Sequence, residues 1–340
     1  MLYITTRDDK DFYTAHRALH ECSAPDGGGY VPFRMPKFSD PELKDLIADG
    51  FGQTVANVLN LFFSCRLTGW DVDFAIGRNP VKLATMSRRI VVAELWHNPD
   101  GKYDYITTAL YNKICNTTSE TPSEWFTLAS LISVLFGIYA VMCRTGAIAQ
   151  NDTIDISTTT EKTFIPLAAV YARKMGLPIG EIIFTSEENS GIWDLIHLGE
   201  IAPTAGFAKS VGCERLIDTT LGKSAVYQMR EALHNCKTYR VDKEQLSLLN
   251  SGLFCAVTGS NRTSQHINSI YRSNAYILDP TSALCVGGLQ DYRAKTGESK
   301  PTLVLSCVSP AIYISEISQA TGITKDKINA LLKKPQDGKM

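Results

Sequence analysis

An excess of charge of either sign is missing from this chain. Its 340 residues carry 34 Lys and Arg against 35 Asp and Glu, a formal net charge of -1. That balance attracts neither nucleic acid nor an anionic membrane surface, so neither is expected as a partner. Paired cysteines are missing too. The nine cysteines (22, 65, 115, 143, 213, 236, 255, 285 and 307) are scattered, and none forms a C-x-x-C pair. This argues against a zinc cage and a disulfide framework, and it fits a reducing, cytoplasmic setting. The sequons at Asn116 and Asn261 are then chance matches. Met1 to Lys10 is charged and has no apolar signal core. Internal repeats and low-complexity stretches are absent.

One long hydrophobic run is present. Trp125 to Cys143 is uncharged and long enough to cross a bilayer. It stands alone, carries Thr127, Ser130 and Ser133, and opens on Thr121-Pro122-Ser123-Glu124, the start signal of a soluble helix. It is therefore expected to be the buried central helix of a large α/β domain, not a membrane span.

Around that run the patterning is mixed. A helix is expected over 9–22, and residues 40–88 read as mostly helical, with Val55, Val58, Leu59, Phe62 and Phe63 as an apolar stripe. From residue 90 onward strands and helices alternate, which favours a parallel or mixed sheet covered by helices. The clearest unit is a βαβ crossover, with strand 153–156, helix 164–175 ended by Gly176-Leu177-Pro178, and strand 181–185. A helix near 264–272, another opened by Asp279-Pro280, and strand 302–307 follow the same logic. Arg89 to Trp96 and Tyr103 to Thr108 read as two strands around the turn Asn98-Pro99-Asp100-Gly101, which makes Lys102 an exposed hairpin residue.

Candidate chemistry is sparse. His16 and His20, four apart beside Glu21, have the spacing of a metal pair, but without a third ligand they read as a solvated face, and no metal site is expected. Thr158, Thr159, Thr160, Lys162 and Thr163 lie between a strand and a helix, where hydroxyls and helix N–H groups hold phosphate. Glu161 opposes that and no glycine lets the backbone wrap closely, so a threonine-rich N-cap is the simpler reading. Ser306 to Pro310, with Cys307, ends a strand at the expected carboxyl edge of the sheet, where ligands of open α/β sheets collect.

Several blocks, in order along nearly the whole chain, resemble threonine synthase, a pyridoxal-phosphate enzyme of fold type II. They are "YITTR" (Tyr3 to Arg7), "SAPDGGGYVP" (Ser23 to Pro32), "VAELWHNP" (Val92 to Pro99), "PSEWFTLASLISVLFGIYAV" (Pro122 to Val141), "AAVYARKMGLPI" (Ala168 to Ile179), "CERLI" (Cys213 to Ile217), "YILDPTSALCVGGLQDY" (Tyr276 to Tyr292) and "PTLVLSCVSPA" (Pro301 to Ala311). The resemblance implies a small, mainly helical N-terminal domain over 1–88, a large α/β domain over 89–332, and a flexible tail over 333–340. It also exposes departures. The family's Phe-Lys-Asp, whose lysine forms the Schiff base, is replaced by Lys102-Tyr103-Asp104. The glycines of its phosphate loop are replaced at Glu161 to Phe164. Its mobile small subdomain is missing between the turn and the long helix. Cys307 stands where the family contacts the pyridine nitrogen. The expectation is a catalytically inactive relative without a cofactor, binding a protein partner or dimerising with itself. The alternatives are an active pyridoxal-phosphate enzyme using Lys102 or Lys162 in a rearranged site, and a small-ligand sensor.

Overall fold

The computed structural model describes residues 1–77, 80–87, 89–118, 120–160, 164–186, 190–257 and 260–333. The chain opens on β1 (Leu2–Thr5), β2 (Tyr13–Thr14), α1 (Ala15–His20) and β3 (Tyr30–Pro32), and the three strands form a small antiparallel sheet in the order β2-β1-β3. The helix expected over 9–22 is thus much shorter. Tyr13 and Thr14 pair with Tyr3 and Leu2, and only then does the Thr14 hydroxyl accept from the Arg17 amide and start α1. Next come α2 (Asp40–Ala48), α3 (Phe51–Phe63) and α4 (Gly69–Ile76). The apolar stripe of α3 is buried throughout. Residues 82–87 are not helical: β4 (Lys82–Ser87) is an antiparallel edge strand paired with β5 (Ile90–Glu94).

From β5 the chain enters α5 (Asp104–Cys115) and then α6 (Glu124–Arg144), with no strand between the two helices among the described residues. The rest alternates: β6 (Ile154–Thr159), α7 (Phe164–Lys174), β7 (Ile179–Ser186), α8 (Gly191–Leu198), β8 (Glu200–Ile201), α9 (Val211–Leu221), α10 (Lys223–His234), β9 (Tyr239–Arg240), α11 (Lys243–Leu249), β10 (Leu253–Val257), α12 (Ser260–Asn274), α13 (Pro280–Thr296), β11 (Thr302–Ser306), α14 (Ile314–Thr321) and α15 (Lys325–Leu332). The main sheet has the order β10-β7-β6-β11-β5-β4, parallel except for β4, and β8 pairs with β9 apart from it. Its two central strands, β6 and β11, are buried along their length, as a sheet covered on both faces demands.

The expected central helix is α6. Sixteen of its 21 residues are buried, and the Ser123 hydroxyl caps it by accepting from the Phe126 amide. Its hydroxyls are satisfied inside the core: Ser133 donates to the Ala129 carbonyl at 2.8 Å and Ser130 to the Thr127 carbonyl at 2.9 Å. At its start, Trp125 Nε1 donates to the Tyr3 hydroxyl (3.1 Å), which donates to the Phe62 carbonyl (2.9 Å). Those two bonds tie β1, α3 and α6 into one core. By length and composition α6 is the one described helix able to cross a membrane, and it is packed inside the protein.

Candidate functional site

The parallel strands place their carboxyl ends on one edge, so the loops after β5, β6, β7 and β11 decide what chemistry is possible there. After β5, Leu95 still bonds to the Ser306 carbonyl, and the chain then turns through Asn98 to Gly101. The Asn98 side-chain oxygen accepts from the amides of Asp100 (3.2 Å) and Lys102 (3.3 Å), and Gly101 has φ +61, a backbone angle that suits glycine. The chain leaves the turn against the end of β11. Ser309 N donates to the Gly101 carbonyl, Tyr103 N donates to the Cys307 carbonyl (both 2.8 Å), and Lys102 forms a bridge with Val308.

The hairpin expected here does not form. Tyr103 to Thr108 enters α5 instead of a second strand, because Tyr103, Ile106, Thr107, Leu110 and Tyr111 recur at helical spacing and bury one face. That face outweighs the local preference of its β-branched and aromatic residues for strand. Lys102 is exposed at the rim. Tyr103, the residue before Asp104, is buried. Its hydroxyl meets Thr107 Oγ1 at 3.1 Å, and Thr107 Oγ1 meets Ser130 Oγ at 2.8 Å, a hydroxyl chain that seats α5 on α6. Set against the Phe-Lys-Asp pattern with Asp104 in register, the lysine position is held by this buried tyrosine.

Behind the turn lies a polar network that sequence reasoning missed. Glu94, buried at the end of β5, accepts from the Tyr276 hydroxyl at 2.6 Å and meets His97 Nε2 at 2.5 Å. Burial, reinforced by the adjacent Glu94 carboxylate, raises the Tyr276 hydroxyl well above its ordinary pKa, so it keeps its proton and donates. Trp96 Nε1 donates to Ser306 Oγ (3.1 Å), which donates to Asp279 Oδ2 (3.1 Å). Asp279 also accepts from the Ser282 amide (3.0 Å) and hydroxyl, which caps α13. Burial raises the Asp279 carboxyl above its usual range, and the Ser282 and Ser306 bonds oppose that shift. The Asp279-Pro280 start of α13 was legible in the sequence. The pairing of Asp279 with Ser306, 27 residues away, was not.

The other candidates fall elsewhere. Thr158 and Thr159 are not at a helix start. They lie in β6, opposite Phe184 and Thr185, where β-branched residues suit the ladder. The Thr160 amide and hydroxyl both donate to the Thr185 carbonyl. Lys162 and Thr163, with Glu161, fall outside the described residues. Cys307 is buried just beyond β11. The rings of His16 and His20 lie with centroids 4.5 Å apart, tilted by 45°, but His20 Nδ1 pairs with the Tyr111 hydroxyl (3.1 Å) and Glu21 is held by Arg17 and Tyr30. Among the described residues no three potential ligands converge on a metal position.

Two clefts open on this edge. One, a shallow and widely open depression, is formed by Trp96 to Gly101 with Ser309, Ala311 and Ile312. The other, about 660 Å³, lies at the ends of β6 and β7, among Thr160, Ser186, Ser190, Asp194 and Thr204. Neither is lined by a lysine among the described residues. A Schiff base needs an amine facing the cofactor ring, and no described residue lining these two clefts supplies one.

Residues 2–76 match the family described as threonine synthase N terminus. Threonine synthase-like 1 of Homo sapiens is 23% identical over 237 residues, covering 66% of this chain and 31% of that protein. Threonine synthase-like 1 of Macaca fascicularis is 23% identical over 240 residues, with the same shares. The chain therefore spans about a third of the length of the curated relatives it matches. Among solved structures, pyridoxal-phosphate-bound threonine synthase from Brucella melitensis superposes with a TM-score of 0.81 at 16% identity, covering 99% of this chain and 96% of that one. Threonine synthase from yeast gives 0.77 at 14% identity, over 96% and 91%. The fold is that of the fold type II threonine synthases.

Proposed function

We propose that this chain, which belongs to the threonine synthase family, is a non-catalytic relative that acts by binding and forms no Schiff base with pyridoxal phosphate. The observation that carries the proposal is the turn after β5. Lys102 is exposed at the rim, and the position before Asp104 is taken by the buried, hydrogen-bonded Tyr103. A tyrosine has no amine for an imine, and moving it would break the hydroxyl chain that seats α5. The turn is also bonded to residues 307–309, so a lysine cannot be brought in without rupturing those bonds.

Titration with pyridoxal phosphate, followed by visible absorbance, tests the reading. The spectrum should remain the sum of protein and free cofactor. A saturable imine band abolished by borohydride would return the chain to the enzymes, with Lys102 or Lys162 as the amine.

The working form in this reading is a homodimer in a reducing, cytoplasmic compartment, without a nucleic-acid or membrane partner. The net charge of -1 opposes self-association little, and two-fold dimers are the commonest closed assembly. Sedimentation at micromolar concentration should give twice the chain mass. A single chain mass at high concentration overturns the dimer. A small-ligand role is favoured over a purely structural one by the two clefts on the carboxyl edge, which mix apolar and polar side chains.

A further inference from the structure

The helix α4 is apolar on two faces. Val72 and Ile76 are buried on one side, while Trp70 and Phe74, one turn apart on the other, are 66% and 70% exposed. Their rings stack with centroids 5.3 Å apart, and the Lys113 ammonium lies 5.8 and 5.4 Å from the two centroids. A helix apolar all round belongs in an interior, so the outer face of α4 calls for a cover. Two stacked rings steadied by a cation form a firm knob of the kind that anchors interfaces.

The same face holds a receptor for such a knob. An open cleft runs from Phe74 and Ala75 along the end of α5, past Ala109, Asn112, Lys113, Thr117 and Thr118. Asn112 Oδ1 is a buried acceptor without a hydrogen-bond partner. The Trp70 indole N–H is a donor that makes no hydrogen bond among the described residues. A turn of the Asn112 amide toward the cleft presents its oxygen to an incoming indole. The charges of the face suit a second copy as well. Lys113 is paired with Asp71 at 2.9 Å, so two such faces meet without like-charge repulsion, and a strongly charged partner gains little there. A knob and its receptor side by side are what a two-fold axis makes self-complementary, each knob entering the other copy's cleft.

We propose that a second copy of this chain docks on this face, with Trp70 and Phe74 of each copy in the other's cleft and the Trp70 indole on Asn112. This rests on the homodimer reading above and names its interface.

Sedimentation and acrylamide quenching of the 340-residue chain over a range of micromolar concentrations test it. Trp125 and Trp96 are buried and Trp193 is partly covered, so of the four tryptophans Trp70 is the one most open to quencher in a single copy. Its share of the signal is the difference between the chain and Trp70→Phe, and its quenching should fall as the dimer forms. The double variant Trp70→Glu, Phe74→Glu changes exposed positions that a single copy tolerates. It should raise the dimer dissociation constant at least about a hundredfold. Asn112→Leu replaces an unpaired polar group by an apolar one of similar shape. It should leave the urea stability of the single copy undiminished and weaken the dimer roughly tenfold. A dimer that survives the double variant, forms without shielding Trp70, or is untouched by Asn112→Leu overturns this interface and leaves the dimer reading standing. A chain that stays single at every concentration overturns both and leaves the face to a different protein.

Discussion

Glu214 on α9 holds the N-terminal segment to the large domain. It accepts from the Thr6 hydroxyl (2.8 Å) and from Arg7 Nη2 (2.8 Å) and Nε, while Arg7 also reaches the Asp26 carbonyl. Next to it, Arg215 is fully buried over Trp125 and donates to the Tyr30 carbonyl at 3.4 Å. The sequence blocks that open the chain and the block at Cys213 are thus two halves of one contact. Glu214→Ala leaves Arg7 unpaired in a mostly buried place and should cost about 3 kcal/mol in urea unfolding. Gly29→Ala would drive a methyl into Val211 and the Arg215 guanidinium, for a loss of about 1–3 kcal/mol. Tyr103→Phe removes one end of the hydroxyl chain and leaves Thr107 bonded to Ser130, so about 1 kcal/mol is expected by the same measurement. No loss at all would mean that the tyrosine does not seat α5.

Elements differ in how far their own residues specify them. The buried α6 was legible because its run of apolar residues has a start signal and no charge inside. The crossover β6–α7–β7 was legible from its alternation and its Gly176 stop, the latter at φ +104. α5 was not, because Tyr103 to Thr108 suits a strand locally and becomes a helix only when its apolar face has α6 to pack on. The same reason hid the Glu94–His97–Tyr276 network, whose members come from β5, the loop after it and the loop before α13. On α12, His266 is buried, its Nε2 lacks a partner, and burial, followed by the nearby Arg262, lowers its pKa below 6.5. The folded protein resists a proton that the unfolded chain accepts. Its contribution to stability is therefore full above pH 6.5 and is lost as pH falls below that value toward the folded pKa. The urea midpoint should fall between pH of about 7.5 and 5.5, and His266→Gln should show less of that fall. An unchanged pH dependence in the variant would contradict this assignment.

At the scale of the whole molecule, the threonine synthase fold is kept, and the described polar side chains after β5 and β11 bond within the chain. Glu94 and Asp279 are saturated by the chain's own donors, Trp96 bonds to Ser306, and the turn that carries Lys102 is bonded to residues 307–309. The proposed non-catalytic reading requires that such an edge offer no amine to pyridoxal phosphate. Borohydride reduction of the 340-residue chain with excess pyridoxal phosphate, followed by peptide mass mapping, tests it most directly. The expected result is sparse labelling scattered over exposed lysines, with no site approaching one pyridoxyl group per chain. Stoichiometric, saturable labelling of Lys102 or Lys162 would contradict the account.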